Sequence, residues 1–107
     1  MSREFVVFVT APGAEAAREI GKALVTERLA ACVNLVPLIE SIYRWDDEVT
    51  SDSESLLIIK TTDDSYQMLE HRIKQMHEYS VPEIIAFEIA QGSDDYIAWI
   101  RKSTTST

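Results

Sequence analysis

The 107-residue sequence is poor in cysteine, glycine and proline, with one Cys and three each of Gly and Pro. The single Cys32 excludes an internal disulfide and any zinc site built from several cysteines. Basic residues are also few, since 10 Lys and Arg stand against 18 Asp and Glu, for a formal net charge of −8. Because nonspecific nucleic-acid binding needs a basic face, this balance argues against a nucleic-acid partner.

Long hydrophobic runs are absent as well. The first apolar run, from Phe5 to Val9, has five residues, whereas a membrane span needs about 20 and the core of a signal peptide about 7 to 15. We therefore expect a cytoplasmic protein with no membrane partner. The length and the 46% of hydrophobic residues indicate one domain. We place it at residues 1–102, followed by a polar tail at 103–107 that is expected to fray.

Motifs of the common enzyme classes are missing. The sequence has no G-x-S-x-G, no P-loop, no H-E-x-x-H and no dinucleotide fingerprint, so we expect a protein that is not an enzyme. A dyad of Cys32 and His77 stays open as an alternative, although a thiol in an apolar strand is expected to be unreactive. The acidic segment 46–54 lacks the Gly and the final Glu of an EF-hand loop and is interpreted as a solvated hairpin tip.

The hydrophobic pattern predicts four strands and three helices. Their order, β-α-β-β-α-β plus a terminal helix, predicts an α+β ferredoxin-like fold with an antiparallel sheet and both main helices on one face. In that topology the first and third strands are central, and the second lies at an edge, where Pro37 is tolerated. The predicted strands are residues 4–10, 32–45, 55–61 and 83–90, and the predicted helices are 14–30, 63 to about 78, and 94–102.

The two central strands are apolar at consecutive positions, in the runs 5–9 and 56–59. Successive strand residues point to opposite faces of the sheet, so both faces are hydrophobic. If helices cover only one face, the other leaves more apolar surface exposed than soluble monomers usually show. This pattern predicts a closed homo-oligomer.

Five segments, taken together, resemble the CutA family, the divalent-cation tolerance proteins. The resemblance implies a ferredoxin-like fold assembled as a tight homotrimer, similar in architecture to the PII signalling proteins. It also implies a cytoplasmic protein associated with tolerance of copper and other divalent metals, and it does not supply a defined enzymatic reaction. The segments are LAACVN (29–34), SIYRW (41–45), IIKT (58–61), YSVPEII (79–85) and DYIAWI (95–100).

The resemblance also indicates one metal-ligand candidate, His77. Family members with an assigned copper site carry Cys just before Thr-Ala-Pro and two adjacent His before Pro-Tyr, where this chain has Val9, Met76 and His77, with Glu78 in place of that Pro. Imidazole binds Cu(II) well, whereas a thioether suits Cu(I). We therefore predict weak binding of copper or another divalent cation through His77. The open alternative is a His stabilised by the negative end of a helix.

Six further residues at strand and helix ends follow the family pattern. We predict that they line a cleft between subunits that takes a small anionic ligand or a protein partner. The alternative is that the aromatic residues anchor the interface and that Lys60 and Glu83 form a structural ion pair. Two functions therefore stay open, a metal-tolerance trimer and a PII-like signalling or assembly module. The six residues are Tyr43, Trp45, Lys60, Tyr79, Glu83 and Trp99.

Overall fold

The computed structural model describes residues 3–104, and within them the observed elements follow the predicted order. The ferredoxin-like α+β prediction with an additional C-terminal helix is confirmed. No helix in this part of the chain is long and apolar enough to cross a membrane. The elements are β1 (Glu4–Ala11), α1 (Ala14–Thr26), β2 (Cys32–Trp45), β3 (Glu48–Thr62), α2 (Asp63–Met76), β4 (Ile84–Glu88) and α3 (Asp94–Ser103).

The four strands form one antiparallel sheet in the order β2-β3-β1-β4. The central positions of β1 and β3 and the edge position of β2 are as predicted. The ladder between β2 and β3 is interrupted between Val36 and Ile39, where Pro37 lacks the N–H that a ladder needs. The Ser55 hydroxyl donates to the Pro37 carbonyl at 2.7 Å, so the interruption is itself hydrogen-bonded.

The core lies between the sheet and the helices α1 and α2. Alternate residues of the central strands face it, and the helices contribute residues spaced by four, as amphipathic helices do. Gly21 brings α1 close to β2, because an added Cβ there would lie 3.2 Å from Cγ1 of Val33. Each fully buried aliphatic side chain stabilises the fold by about 1.5–3 kcal/mol. The largest such side chains in this core are Val7, Val9, Ile20, Leu24, Leu57, Ile59, Leu69 and Ile73.

The opposite face of the sheet is covered at one end only, by α3. Arg101 of α3 forms an ion pair with Glu4, and Ile100 is fully buried. The expectation that helices cover one face alone is therefore wrong at this end. Away from α3, the ring of Phe8 lies 5.3 Å from that of Phe87, and Phe87 remains 51% exposed. An apolar half of this face thus stays open in the single chain.

Several element ends differ from the prediction. Helix α1 ends at Thr26 because Arg28 has a φ of 62° and the amides of Leu29 and Ala30 both bond to the Leu24 carbonyl. Helix α2 ends at Met76 instead of reaching Glu78, and β4 begins one residue later than expected, at Ile84. Ser103 is helical and Thr104 is buried, so α3 extends one residue into the segment predicted as the tail. The rest of the predicted tail, 105–107, lies outside the described residues.

The largest difference concerns segment 46–54, which is not a loop. The turn consists of Asp46 and Asp47, both with positive φ (50° and 64°), and β3 begins at Glu48. Two central residues with positive φ are the geometry that joins twisted strands most tightly. The result is a long hairpin whose outer part, residues 39–54, extends beyond the last pair between β1 and β3; we call it the arm.

Candidate functional site

A cleft of about 620 Å³ lies at the base of the arm, between the arm and residues 79–83. Its volume is within the range of small-molecule sites. Four of the six predicted cleft residues line it: Tyr43, Trp45, Tyr79 and Glu83. The structure adds two carboxylates, Asp52 and Glu54, which the sequence analysis missed because it assigned 46–54 to a hairpin tip.

The register of the arm places these side chains on one face. Ser41 pairs with Asp52 and Ile39 pairs with Glu54, so the odd-numbered residues of β2 share a face with the even-numbered residues of β3. Asp52 and Glu54 are two residues apart, paired with Ser41 and Ile39. A strand assignment of this segment would have placed both carboxylates on one face.

Two tyrosines donate hydrogen bonds to the two carboxylates. The Tyr79 hydroxyl donates to Oε2 of Glu54 at 2.9 Å, and the Tyr43 hydroxyl donates to Oδ2 of Asp52. Burial, and then the bond to Glu54, raises the pKa of Tyr79 to about 12. The hydrogen bond to Asp52 is the main cause of a raised pKa of Tyr43. Both tyrosines therefore stay protonated at neutral pH and act as donors.

Lys60 and Trp99 lie elsewhere in the single chain. The Lys60 ammonium group donates to Oδ1 of Asn34, and the Trp99 ring lies 5.4 Å from that of Tyr96 on α3. Along β3, Lys60 stands four residues from Leu56, the partner of the cleft residue Thr10, which is a separation of roughly 13 Å. Within one chain, therefore, Lys60 and Glu83 are not brought together, and their pairing in a cleft between subunits stays a prediction.

The same register separates Cys32 from His77. Cys32 pairs with Lys60 and its thiol contacts Asn34, whereas His77 contacts Thr10 at the other end of the sheet. The thiol and the imidazole are not in contact in a single chain.

Both ring nitrogens of His77 are engaged by backbone groups. Nε2 lies 2.6 Å from the Thr10 carbonyl oxygen, and Nδ1 accepts a hydrogen bond from the Tyr79 N–H at 3.1 Å. The neutral tautomer with the proton on Nε2 satisfies both contacts. A metal ion needs a lone pair of the ring, so it would have to displace one of these two bonds. His77 thereby fixes the start of the segment that carries Tyr79.

The residues of one chain do not fit a tight metal site. Within residues 3–104, no group of three or more His, Cys, Asp or Glu side chains is gathered where it could hold an ion. Val9 is fully buried in the core, and Met76 packs against the same core. The assignment of His77 as a metal ligand therefore stays a prediction, and it is one that requires a hydrogen bond to be exchanged.

Comparison with known proteins identifies the class to which this fold and chain belong. A model of the family described as CutA1 divalent ion tolerance protein matches residues 5–103. The chain belongs to this family.

Individual relatives agree with that assignment. The chain is 54% identical over 101 residues to the divalent-cation tolerance protein CutA of Thermus thermophilus, covering 94% of this chain and 98% of the relative. It is 50% identical to the chloroplastic protein CutA of Arabidopsis thaliana, covering 92% of this chain and 54% of that protein. The chain thus spans about half the length of the plant relative. The crystal structure of CutA1 from Oryza sativa superposes with a TM-score of 0.94 at 44% identity, over 98% of this chain and 96% of that one.

Proposed function

We propose that this protein is a non-enzymatic homotrimer of the cytoplasm that contributes to tolerance of divalent cations, copper among them, and binds such ions weakly. The observation that carries the proposal is the family match over residues 5–103. Relatives are named for divalent-cation tolerance, and the extension of that role to this chain is part of the proposal.

Exposed apolar side chains in two regions support assembly. On the open half of the second sheet face, Ile85 and Phe87 are 45% and 51% exposed, and on the arm Ile42, Trp45 and Val49 are 62–69% exposed. Monomers rarely leave so many large apolar side chains exposed in one region, and a two-stranded hairpin is marginally stable by itself. Closed symmetry between identical copies covers both regions at once.

His77 is the candidate ligand for the weak metal binding. A bound ion would replace the hydrogen bond from the Tyr79 N–H or to the Thr10 carbonyl, which lowers the net affinity. Further donors are proposed to come from water or from other copies, because within residues 3–104 no group of three or more His, Cys, Asp or Glu side chains is gathered to hold an ion.

Titration with Cu(II) in a non-coordinating buffer tests this proposal. We expect weak binding by the wild type and weaker binding by His77→Ala. His71→Ala is the matched control, because His71 is the other histidine and is exposed on α2. Equal affinity of all three proteins would remove His77 as a ligand, and tight binding by the wild type would contradict the donor count. Circular dichroism of each variant establishes that it is folded.

The cytoplasmic location is tested by fractionation of cells that express the native gene. One relative carries a chloroplastic designation, so recovery of this chain from an organelle or from the periplasm would contradict the proposal.

A second candidate function is a PII-like signalling or assembly module that takes a small ligand or a partner in a cleft between subunits. The specific observation in its favour is that Tyr43, Trp45, Tyr79 and Glu83 line one cleft of small-ligand size. Thermal-shift screening with small metabolites tests it, and the absence of any stabilising compound would count against it.

A further inference from the structure

We propose that a groove on the helix-covered face of the sheet binds an aliphatic monocarboxylate, the chemical class of a short fatty acid. The groove lies between α1 and the edge strand β2 and has a volume of about 510 Å³, which is within the range of small-molecule sites. This inference goes beyond both candidate functions, because the groove shares no residue with the cleft at the base of the arm.

The groove is separate from the two regions that the proposed assembly covers. Those regions are the arm, residues 39–54, and the open half of the opposite sheet face. The strand residues of the groove, Val33 and Leu35, precede the arm and pack against the core beneath the helices. Every other residue that lines the groove belongs to α1. The proposed assembly therefore requires none of the groove residues.

The first argument is the apolar interior of the groove. Val33 and Leu35 form the side that belongs to β2, and Val25 of α1 lines the groove while 42% exposed. The lining residues of α1 run from position 17 to position 26, which is a length of roughly 13 Å along the helix. Such a groove withdraws an alkyl chain from water, and each buried methylene tightens binding by up to about fourfold.

The second argument is the positive charge along one side of the groove. Arg18 and Lys22 are four residues apart on α1, so they are neighbours on the helix surface, and both line the groove. None of the ion pairs formed within residues 3–104 includes either side chain. Within the same residues, the groove lining contains no Asp or Glu, although the chain has a formal net charge of −8. A carboxylate thus meets a local pair of cations on a surface that elsewhere repels anions.

The third argument is that charge and apolar surface are segregated within the groove. The two basic residues are exposed, whereas the residue before each of them, Ala17 or Gly21, is buried, and Gly21 lies against Val33 of β2. A matching ligand therefore has one anionic group and one apolar chain. A dicarboxylate would place its second charge against apolar side chains, where the loss of hydration costs affinity.

The test is calorimetric titration of the full chain with octanoate, below the concentration at which it forms micelles. Octylammonium and 1-octanol have the same alkyl chain and serve as matched compounds with a different head group. We expect octanoate to bind most tightly and octylammonium least tightly, which is the opposite of what the net charge of −8 alone would favour. Butanoate and hexanoate complete a series in which affinity should rise by up to about fourfold per methylene.

Two pairs of variants locate the binding. Lys22→Gln should weaken octanoate binding about two- to fivefold, as the loss of one solvent-exposed charge pair does. Lys102→Gln makes the same change of net charge at an exposed residue of α3 and should have no effect. Val25→Glu places a carboxylate in the groove and should abolish detectable binding. Met68→Glu makes the matching change at an exposed apolar residue of α2 and should bind as the wild type does.

Four outcomes would overturn the proposal. Equal affinities for octanoate and 1-octanol would mean that the basic side chains do not recognise the carboxylate. Equal weakening by Lys22→Gln and Lys102→Gln would indicate general electrostatics in place of a site, and no binding of octanoate would refute the site outright. If Val25→Glu, unlike Met68→Glu, also lowered the molar mass measured by light scattering, the groove would be a contact between copies of the chain.

Discussion

The layered body of the molecule and the arm are stabilised in different ways. In the body, side chains such as Ile59 and Leu69 are fully buried between the sheet and two helices. In the arm, Trp45 and Val49 are more than 60% exposed, although the strand pairing there is regular through the turn. Hydrogen bonds shape the arm without burying it, so the arm withdraws less apolar surface from water than the core of the body does. The candidate cleft lies where the two regions meet.

The largest expected effect comes from the body. Leu69→Ala should lower the free energy of unfolding by about 2–5 kcal/mol, because it leaves a cavity beneath α2. Met68→Ala, one residue earlier and 59% exposed, should cost much less. Denaturant unfolding at a fixed protein concentration measures both. If the two variants lost similar free energies of unfolding, Leu69 would not be more important for stability than the exposed Met68, and the described core would be contradicted.

Substitutions in the arm should change the association of the chains. We expect the wild type to be a trimer at low micromolar concentration in light scattering, and added salt to tighten it by screening repulsion between copies that carry −8 each. Trp45→Ala should destabilise the trimer by about 2 kcal/mol or more, as removal of an aromatic interface anchor does.

Arg44→Ala, at the adjacent residue on the other face of the arm, is the control and should change association little. A folded wild-type monomer would refute the proposed trimer. Trp99, 43% exposed on α3, is predicted to be covered by assembly as well, and a blue shift of its emission on trimer formation would measure this.

The pH dependence of the free energy of unfolding tests the region where the body and the arm meet. The pKa values of Tyr79 at the junction and Tyr66 in the body are both raised from 10.0 to about 12, mainly by burial. The folded chain thus holds these protons more tightly than the unfolded chain. The stabilisation they give is complete below pH 10 and is lost as pH rises towards 12.

Tyr79→Phe should cost about 1 kcal/mol at neutral pH, through the lost bond to Glu54, and should make the alkaline loss of stability shallower. Tyr66→Phe is the body counterpart and should also make it shallower. If both variants lost stability at alkaline pH as steeply as the wild type does, the raised pKa values of Tyr79 and Tyr66 would be contradicted. Thermal melts between pH 8 and pH 12 supply the measurement.

The smallest effect is expected on the outer surface of α2. The Lys74 ammonium group lies 2.9 Å from Glu70, and the Lys74 side chain is 57% exposed. Glu70→Gln should cost about 0.3–0.5 kcal/mol at low salt, and the difference from the wild type should vanish in concentrated salt. A loss that persists in high salt would mean that Glu70 does more than pair with Lys74.

The comparison of body and arm also explains which parts of the fold the sequence predicted. The bounds of β2 came out as predicted, at Cys32 and Trp45, because β-branched and aromatic residues run through it. Glu48 to Glu54 was misassigned because both of its faces are polar and only its pairing to β2 makes it a strand. The end of α1 was missed because Leu29 and Ala30 are buried without being helical, and nothing local marks Arg28 as a residue of positive φ.

The cleft was predicted in part for a related reason. Tyr43, Trp45, Tyr79 and Glu83 were named through a family pattern, but which of the six residues meet depends on strand register, and register is a tertiary property. The hydrogen bonds of the two His77 ring nitrogens could not be predicted from the sequence either. One is made to the backbone of Thr10, 67 residues before His77, and the other to the backbone of Tyr79, two residues after it.

The two-residue turn at Asp46 and Asp47 has a consequence for the order in which the chain folds. It joins β2 to β3 with contacts that are close in sequence, and a hairpin of this kind forms in about 1–10 μs. Strand β1 instead pairs with strands that are distant in sequence, since Val7 pairs with Ile59 of β3 and with Ala86 of β4. Such non-local pairing is slow. The arm, which is the least buried region of the finished molecule, is therefore expected to be the first part to take shape.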